Sequence, residues 1–146
     1  MPTAAKLVGS LLFALLGFLV TRLAEPMMEG LSTVSSAAMI NAAIGAGVGW
    51  FIAGPRAGGG WRAGLDNGLT TTICGLFLTI GAQGAIFMLR MAMRGHYRDP
   101  MDALEAMADY WLAVAARLAV PQIVLLLVLG GLAIGLLLEV TRARAS

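Results

Sequence analysis

Four long stretches of this chain carry almost no charge, and together they take up most of its length: residues 4–24, 31–53, 67–89 and 118–138. A helix needs about 20 apolar residues, each rising about 1.5 Å, to cross the hydrocarbon core of a bilayer. Only 12% of the residues are charged, against roughly 25% in a soluble domain. The sequence therefore predicts an all-α fold, a single membrane domain over residues 1–146 built as an integral bundle of four transmembrane helices.

The transmembrane helices are predicted at residues 4–24, 36–53, 67–89 and 118–138. The first contains an apolar run, Leu7 to Val20, of the kind found in signal peptides. No good small-residue cleavage site follows this run, so we expect the helix to stay attached. The second helix is expected to be capped by Ser32, Thr33, Ser35 or Ser36.

The second span carries small or polar residues at every fourth position: Ala37, Asn41, Gly45 and Gly49. On a helix this spacing places them on one face, where another backbone can approach closely. An amide in hydrocarbon needs a hydrogen-bond partner, so Asn41 is expected to bond to another helix. We interpret this stripe as a helix-packing surface, with substrate contact by Asn41 as the less favoured alternative.

A glycine-rich segment, residues 54–64, separates the second and third spans and is predicted to form a loop at the membrane interface. In one interpretation Arg56 and Arg62, flanked by Trp50 and Trp61, contact lipid phosphate groups. In the other, the loop amides and the two guanidinium groups cradle an oxyanion. The spacing matches neither a Walker A loop nor a Rossmann fingerprint. The candidate contacts are Gly54, Arg56, Gly58, Gly59, Gly60 and Arg62.

The third span contains two amides that need partners in the membrane, Asn67 and Gln83. Asp66 or Asn67 is predicted to cap the start of this helix. A bond between Asn41 and Gln83 is compatible with the pattern, but one sequence does not decide it. Cys74 has no basic neighbour in sequence, so we interpret it as a packing residue.

Residues 100–117 are predicted to form an amphipathic helix between the third and fourth spans. Asp99 suits the N-cap and Pro100 the first helical position. Apolar residues recur at helical spacing: Met101, Leu104, Ala108, Trp111, Ala115 and Leu118. Asp102, Glu105 and Asp109 lie on other faces. We expect this helix to lie along the membrane surface or over the bundle, with its acidic face solvated or facing a basic partner.

The sequence offers no nucleophile and base pair, carboxylate dyad or phosphate loop, so no catalytic residues are predicted and we expect no enzyme activity. Five methionines raise the question of a Cu(I) site: Met88, Met91, Met93, Met101 and Met107. Met91 and Met93 point to different helix faces, and His96 stands without a second histidine or a cysteine near it. No metal or cofactor is predicted. The basic residues are spread over every loop, which suits membrane lipids and not nucleic acid.

The fourth span closes at Glu139, with Arg142 and Arg144 beyond it. Lysine and arginine residues are divided equally between the two sides of the membrane. Acidic residues between positions 99 and 109 offset the positive charge of one side, so we predict that both termini are cytoplasmic.

Short motifs follow one another along the whole chain: Met1-Pro2-Thr3-Ala4-Ala5-Lys6-Leu7, Asn41-Ala42-Ala43-Ile44-Gly45, Val48-Gly49-Trp50, Gly54-Pro55-Arg56-Ala57-Gly58, Asn67-Gly68-Leu69-Thr70-Thr71, Tyr97 before Pro100, and Asp109-Tyr110. In this order they resemble the bacterial TrgA-like tellurium-resistance membrane proteins. The Asn-led glycine helix and the two motifs after it are the most specific part. The resemblance implies a small protein of the bacterial inner membrane that is linked to tolerance of tellurium oxyanions, and it implies no catalytic residues.

Two classes of function follow. The favoured hypothesis is helix–helix association, in which the stripe from Ala37 to Gly49 docks a membrane protein partner or a second copy. The alternative is an anion-binding or permease-type protein that uses the region from Asn41 to Arg62. The chain shows no inverted repeat, broken-helix pair or intramembrane charge of the kind that transporters use, which favours association.

Overall fold

The computed structural model describes residues 3–29 and 36–145, and every regular element among them is helical. We number five helices in chain order: α1 Ala4–Ala24 followed by a 3₁₀ turn Glu25–Met28, α2 Ala37–Arg56, α3 Trp61–Met93, α4 Pro100–Leu118 and α5 Pro121–Ala145. By length and composition α1 with its turn, α2, α3 and α5 are able to cross a membrane. The prediction of a helical bundle with four such helices is confirmed for the described residues.

The glycine-rich connection is shorter than predicted, because the helices on both sides extend into it. α2 continues to Arg56 through a π-helical segment, Gly49–Ala53, in which the Gly54 N–H donates to the Gly49 carbonyl. Pro55, which has no N–H to donate, follows this wider turn directly. α3 begins at Trp61, so Asp66 and Asn67 lie inside a helix and do not cap it. The extended connection is therefore residues 57–60.

The limits of the later helices also differ from prediction. α4 runs to Leu118, and α5 starts at Pro121 and not at residue 118, since proline fits the first helical position. Ser36 and Asp99 occupy N-cap positions, but neither side chain makes a capping hydrogen bond. The other proposed caps of α2, at residues 32, 33 and 35, lie outside the described residues.

α1 and α2 pack against each other along an antiparallel glycine seam. A Cβ atom added to Gly45 would collide with the Phe13 backbone, and one added to Gly49 would collide with the Gly9 backbone. One added to Gly17 would lie 2.7 Å from the Asn41 carbonyl oxygen. The predicted stripe on α2 is therefore in backbone contact with α1 of the same chain.

α3 and α5 form a second glycine seam, which is not among the surfaces predicted from the sequence. Gly68 packs against Gly131, and Gly64 packs against Gly135, so that a Cβ on Gly68 or on Gly135 would collide with the facing backbone. Both helices carry the Gly-x-x-x-Gly spacing that permits such close approach. The Thr72 hydroxyl bonds to the Gly68 carbonyl oxygen at 2.8 Å, which satisfies it within its own helix.

Large apolar side chains join the two helix pairs. The buried cluster contains residues of α1 and α5 in particular: Phe13, Leu16, Val20, Ile123, Ile134 and Leu138. Leu16 also packs on Gly130, where an added Cβ would lie 2.7 Å from its Cδ1 atom. α1 therefore lies between α2 and α5, and α4 packs mainly on α3.

Candidate functional site

A chain of hydrogen bonds between polar side chains crosses the interior of the bundle and links three helices. The Gln83 Nε2 atom donates to Asn41 Oδ1 at 3.0 Å, and Asn41 Nδ2 donates to Thr21 Oγ1 at 2.9 Å. The Thr21 hydroxyl in turn donates to the Gly17 carbonyl at 2.6 Å. Asn41 and Gln83 are each 7% exposed. The contact between these two amides, which the sequence left open, is present in the structure.

Asn67 serves a different purpose, although it is also an amide within a span. Its Nδ2 atom donates to the Ala53 carbonyl at 2.9 Å, and its Oδ1 atom accepts from the Thr71 hydroxyl at 3.4 Å. Ala53 lies in the last turns of α2, where backbone carbonyl groups have no N–H partner within the helix. Asn67 therefore closes the C-terminal end of α2 and does not join the bond chain of Gln83.

A cavity of about 250 Å³ adjoins the chain of bonded amides. All five helices line it, and its wall is mostly apolar. The uncharged polar side chains of the wall lie on α1, α2, α3 and α4: Thr21, Asn41, Thr71, Thr72, Thr79, Gln83 and Tyr110. Ala37, the first residue of the predicted stripe, lines this cavity.

Charge at the cavity is confined to its edge. Among the described lining residues Glu25 is the only one charged at neutral pH, and its carboxylate is exposed and bonded to Arg22 at 3.2 Å. The interior surface is therefore neutral. It can offer hydrogen bonds from amides and hydroxyls together with apolar contact, but no compensating charge.

The glycine loop already holds a carboxylate, that of Glu139 on α5. The Gly58 N–H donates to Glu139 Oε1 at 2.9 Å, and the Gly60 N–H donates to Oε2 at 3.0 Å. Both glycines have positive φ angles, +110° and +92°, which side-chain-bearing residues rarely adopt. Glu139 is only 8% exposed. The loop amides that one interpretation of the sequence assigns to an external oxyanion bind a carboxylate supplied by the chain itself.

The remaining candidate residues of the loop lie outside this carboxylate site. Arg56 and Arg62 are exposed, and Gly54 packs against Lys6 of α1. Gly59 is exposed and lies close to Ala63. The structure therefore does not bring the two predicted arginines to the amides of Gly58 and Gly60.

α4 covers one side of α3 through aromatic contacts. The rings of Phe87 and Tyr110 stack with centroids 4.7 Å apart, and Trp111 packs on Gly84. Burial raises the pKa of the Tyr110 phenol above its usual value, which keeps this cavity-lining group neutral. Large apolar residues of the same helix, including Leu104 and Leu112, remain exposed.

Glu139 and Thr21 are the functional candidates that sequence reasoning missed. Glu139 had a detectable signal, because it is an isolated acid immediately after the most apolar span. Thr21 had little, since a helical threonine is ordinarily satisfied by its own backbone. Cys74 is half-buried, and the described residues contain no group of three or more His, Cys, Asp or Glu side chains that could hold a metal ion. No protein-family model, curated protein or solved structure matches the chain.

Proposed function

We propose that this chain is a multi-pass protein of the bacterial inner membrane that supports tolerance of tellurium oxyanions by associating with a membrane partner or with a second copy. The four apolar helices support the membrane location, and the link to tellurium rests on the resemblance of its motifs. Association, and not chemical conversion of the oxyanion, is the mechanism we favour.

The observation that carries this choice is the occupied glycine loop. The N–H groups of Gly58 and Gly60 bond to the carboxylate of Glu139, a tethered anion that an external oxyanion would have to displace. A group held in the same molecule competes at a high effective concentration. The anion-binding hypothesis therefore loses the amide donors of Gly58 and Gly60 and keeps only the exposed side chains of Arg56 and Arg62.

The association surface must differ from the one suggested by the sequence. Gly45 and Gly49 are covered by α1 of the same chain, so they offer no face to a partner. The outward surface of the four spans remains. On it, Gly47 of α2 and Gly81 of α3 have no atom within 4 Å of an added Cβ position. These positions can be altered without disturbing the bundle.

α4 has three faces that suit a helix lying at the membrane surface beside the bundle. Tyr110 and Val114 are buried against the bundle. Apolar residues such as Leu104 occupy a second, exposed face, and Asp102, Glu105 and Asp109 a third. The buried face would contact the bundle, the exposed apolar face would contact lipid, and the acidic face would contact water. We include this orientation, and cytoplasmic termini, in the proposal; a reporter enzyme fused to the C-terminus tests the termini by its activity in one compartment or the other.

Tellurite challenge of complemented cells tests the mechanism. We expect Arg56→Ala/Arg62→Ala to preserve resistance at unchanged protein level, because the two exposed guanidinium groups lie apart from the loop amides. Chemical cross-linking in intact membranes should capture a second chain in resistant cells. Lost resistance at normal protein level in the double variant, or no cross-linked chain in resistant cells, would contradict association.

Anion binding remains the second candidate, favoured by one observation: the loop has the geometry to hold a carboxylate at 2.9 and 3.0 Å. If the loop serves external oxyanions, Glu139→Ala should expose these N–H groups and increase the binding of tellurite in calorimetry. Wild-type protein provides the comparison, and selenite and phosphate test selectivity. Equal, negligible heats in both proteins would remove this candidate.

A further inference from the structure

We propose that the interior cavity binds a neutral amphiphile: one small molecule, or one end of a lipid, with an apolar body and a single uncharged hydrogen-bonding group. This inference is independent of the association proposed above, since it concerns the inside of the bundle and not its outer surface.

Size sets the first limit on the ligand. The cavity measures about 250 Å³, whereas an apolar cavity of about 150 Å³ in a soluble protein accepts one benzene molecule. The space therefore suits two fused rings or a short stretch of hydrocarbon chain. Phe13, Leu16, Val20 and Leu127 supply an apolar wall for such a body.

The bonded amides set the second limit. Each amide nitrogen carries two N–H groups. The bond from Asn41 to Thr21 uses one N–H of Asn41, and the bond from Gln83 to Asn41 uses one of Gln83. A hydroxyl or carbonyl oxygen on the ligand can accept a second N–H from this wall. A polar group buried at membrane depth otherwise costs free energy, which argues for a ligand that carries one such group and no more.

The absence of charge within the lining sets the third limit. Glu25, the charged residue of the described lining, is exposed at the edge and paired with Arg22. An ion moved into this interior would lose its hydration without gaining an opposite charge. The cavity therefore selects against oxyanions, and the ligand is neutral.

Binding of 2-naphthol and of naphthalene to detergent-purified protein tests the proposal, with empty micelles as the blank. Both molecules have two fused rings, and only 2-naphthol carries a hydroxyl. We expect saturable binding of one 2-naphthol per chain, roughly three- to tenfold tighter than naphthalene, which is the range for one hydrogen bond. Gln83→Leu should reduce this preference while leaving the binding of naphthalene.

A pair of tryptophan substitutions on α3 separates the cavity from the outer surface. Leu76 lines the cavity, and Leu78 is 54% exposed on the outside. Leu76→Trp should fill the cavity and abolish saturable binding of both compounds, whereas Leu78→Trp should bind as wild type does. Thermal unfolding of both variants shows whether each is folded.

The natural source of the ligand is distinguished by mass spectrometry of organic extracts from wild-type and Leu76→Trp proteins. Enrichment of a membrane lipid in the wild-type extract identifies a lipid chain as occupant, and enrichment of a smaller neutral compound identifies a diffusible one. Either outcome supports the proposal. No saturable binding of 2-naphthol to folded wild-type protein, or equal binding by the folded Leu76→Trp variant, overturns it and leaves a cavity that holds only water.

Discussion

The end of the bundle that carries the glycine loop is closed by backbone contacts, whereas the opposite end is held apart by side chains around a cavity. At the closed end the backbone of Gly9 contacts Gly49, and that of Gly64 contacts Gly135. The Glu139 carboxylate accepts two hydrogen bonds from the loop. At the open end side chains supply contacts between helices, among them the amide chain through Asn41, the stack of Phe87 on Tyr110 and the bonds from the Arg117 guanidinium to backbone carbonyls after α1. The cavity of about 250 Å³ between the helices lies at the open end. At the closed end the pocket is a more open one, which lies over the loop against Gly58, Gly60 and Glu139.

The comparison separates stability from binding. Close backbone approach gives the closed end many van der Waals contacts and little tolerance for added atoms. The open end has room for side chains to adjust. Substitutions at the closed end should therefore reduce stability, and those at the open end should mainly change what the protein binds.

The largest effect is expected from Gly45→Leu in the α1–α2 glycine seam. The new side chain would collide with the Phe13 backbone and push the two helices apart, and we expect a loss of about 3 kcal/mol or more. Gly47→Leu is the matched control, because the same helix there faces open space. Unfolding in detergent measures both variants; equal stability would show that the α1–α2 seam does not hold the bundle together.

Glu139→Ala should have the next largest effect. It removes the two hydrogen bonds that the N–H groups of Gly58 and Gly60 donate to a charged acceptor, at a cost of about 1.5–3 kcal/mol. Glu139→Gln should cost less, because one amide oxygen still accepts. Thr141→Ala is the control on the same helix, since that hydroxyl bonds only to its own helix at Leu137. If Glu139→Ala were as stable as Thr141→Ala in the same unfolding measurement, the hydrogen bonds from the loop to Glu139 would not contribute to stability.

Paired amide substitutions test the two ends directly. Asn67→Leu removes a bond to the Ala53 carbonyl in a site that is 2% exposed, and should cost about 1–3 kcal/mol. Gln83→Leu removes a bond beside the cavity, and should cost only about 0.6 kcal/mol, the average for such bonds in a membrane. Denaturant titration compares them. A larger loss of stability for Gln83→Leu than for Asn67→Leu would contradict the view that contacts at the closed end stabilise the bundle more.

The smallest effect is expected from Glu25→Gln at the edge of the open end. Its pair with Arg22 is exposed on both sides, so screening by water and salt should keep the loss below about 0.5 kcal/mol. The measurement is unfolding at low and high salt. A loss that persists in high salt would indicate a role for Glu25 beyond this ion pair.

The four spans and the α2 stripe could be predicted because each depends on residues close together in the sequence. Uninterrupted apolar runs require only length and lack of charge, and the period of four between Asn41, Gly45 and Gly49 places them on one face of any helix. In the structure α1 of the same chain covers Asn41, Gly45 and Gly49 on this face. Periodicity identifies a contact surface without identifying what covers it.

The α3–α5 seam and the Glu139 site could not be predicted in the same way. The predicted start of the third helix at residue 67 places Gly64 in a loop, where its spacing to Gly68 does not indicate a shared helix face. Glu139 is 81 and 79 residues from Gly58 and Gly60 in the chain, and its partners are backbone groups that have no sequence signature. Only the packing of α5 brings the carboxylate to the amides.

The bond between Glu139 and the loop also imposes an order on assembly during synthesis. A nascent chain emerges from its N-terminus, so α1 and α2 are complete long before α5 exists. Their seam needs no residue beyond Arg56, whereas Gly58 and Gly60 receive their carboxylate only when the final helix has entered the membrane. A chain truncated before Glu139 would therefore retain the pairing of its first two helices. The N–H groups of Gly58 and Gly60 in its loop would lack the carboxylate that binds them.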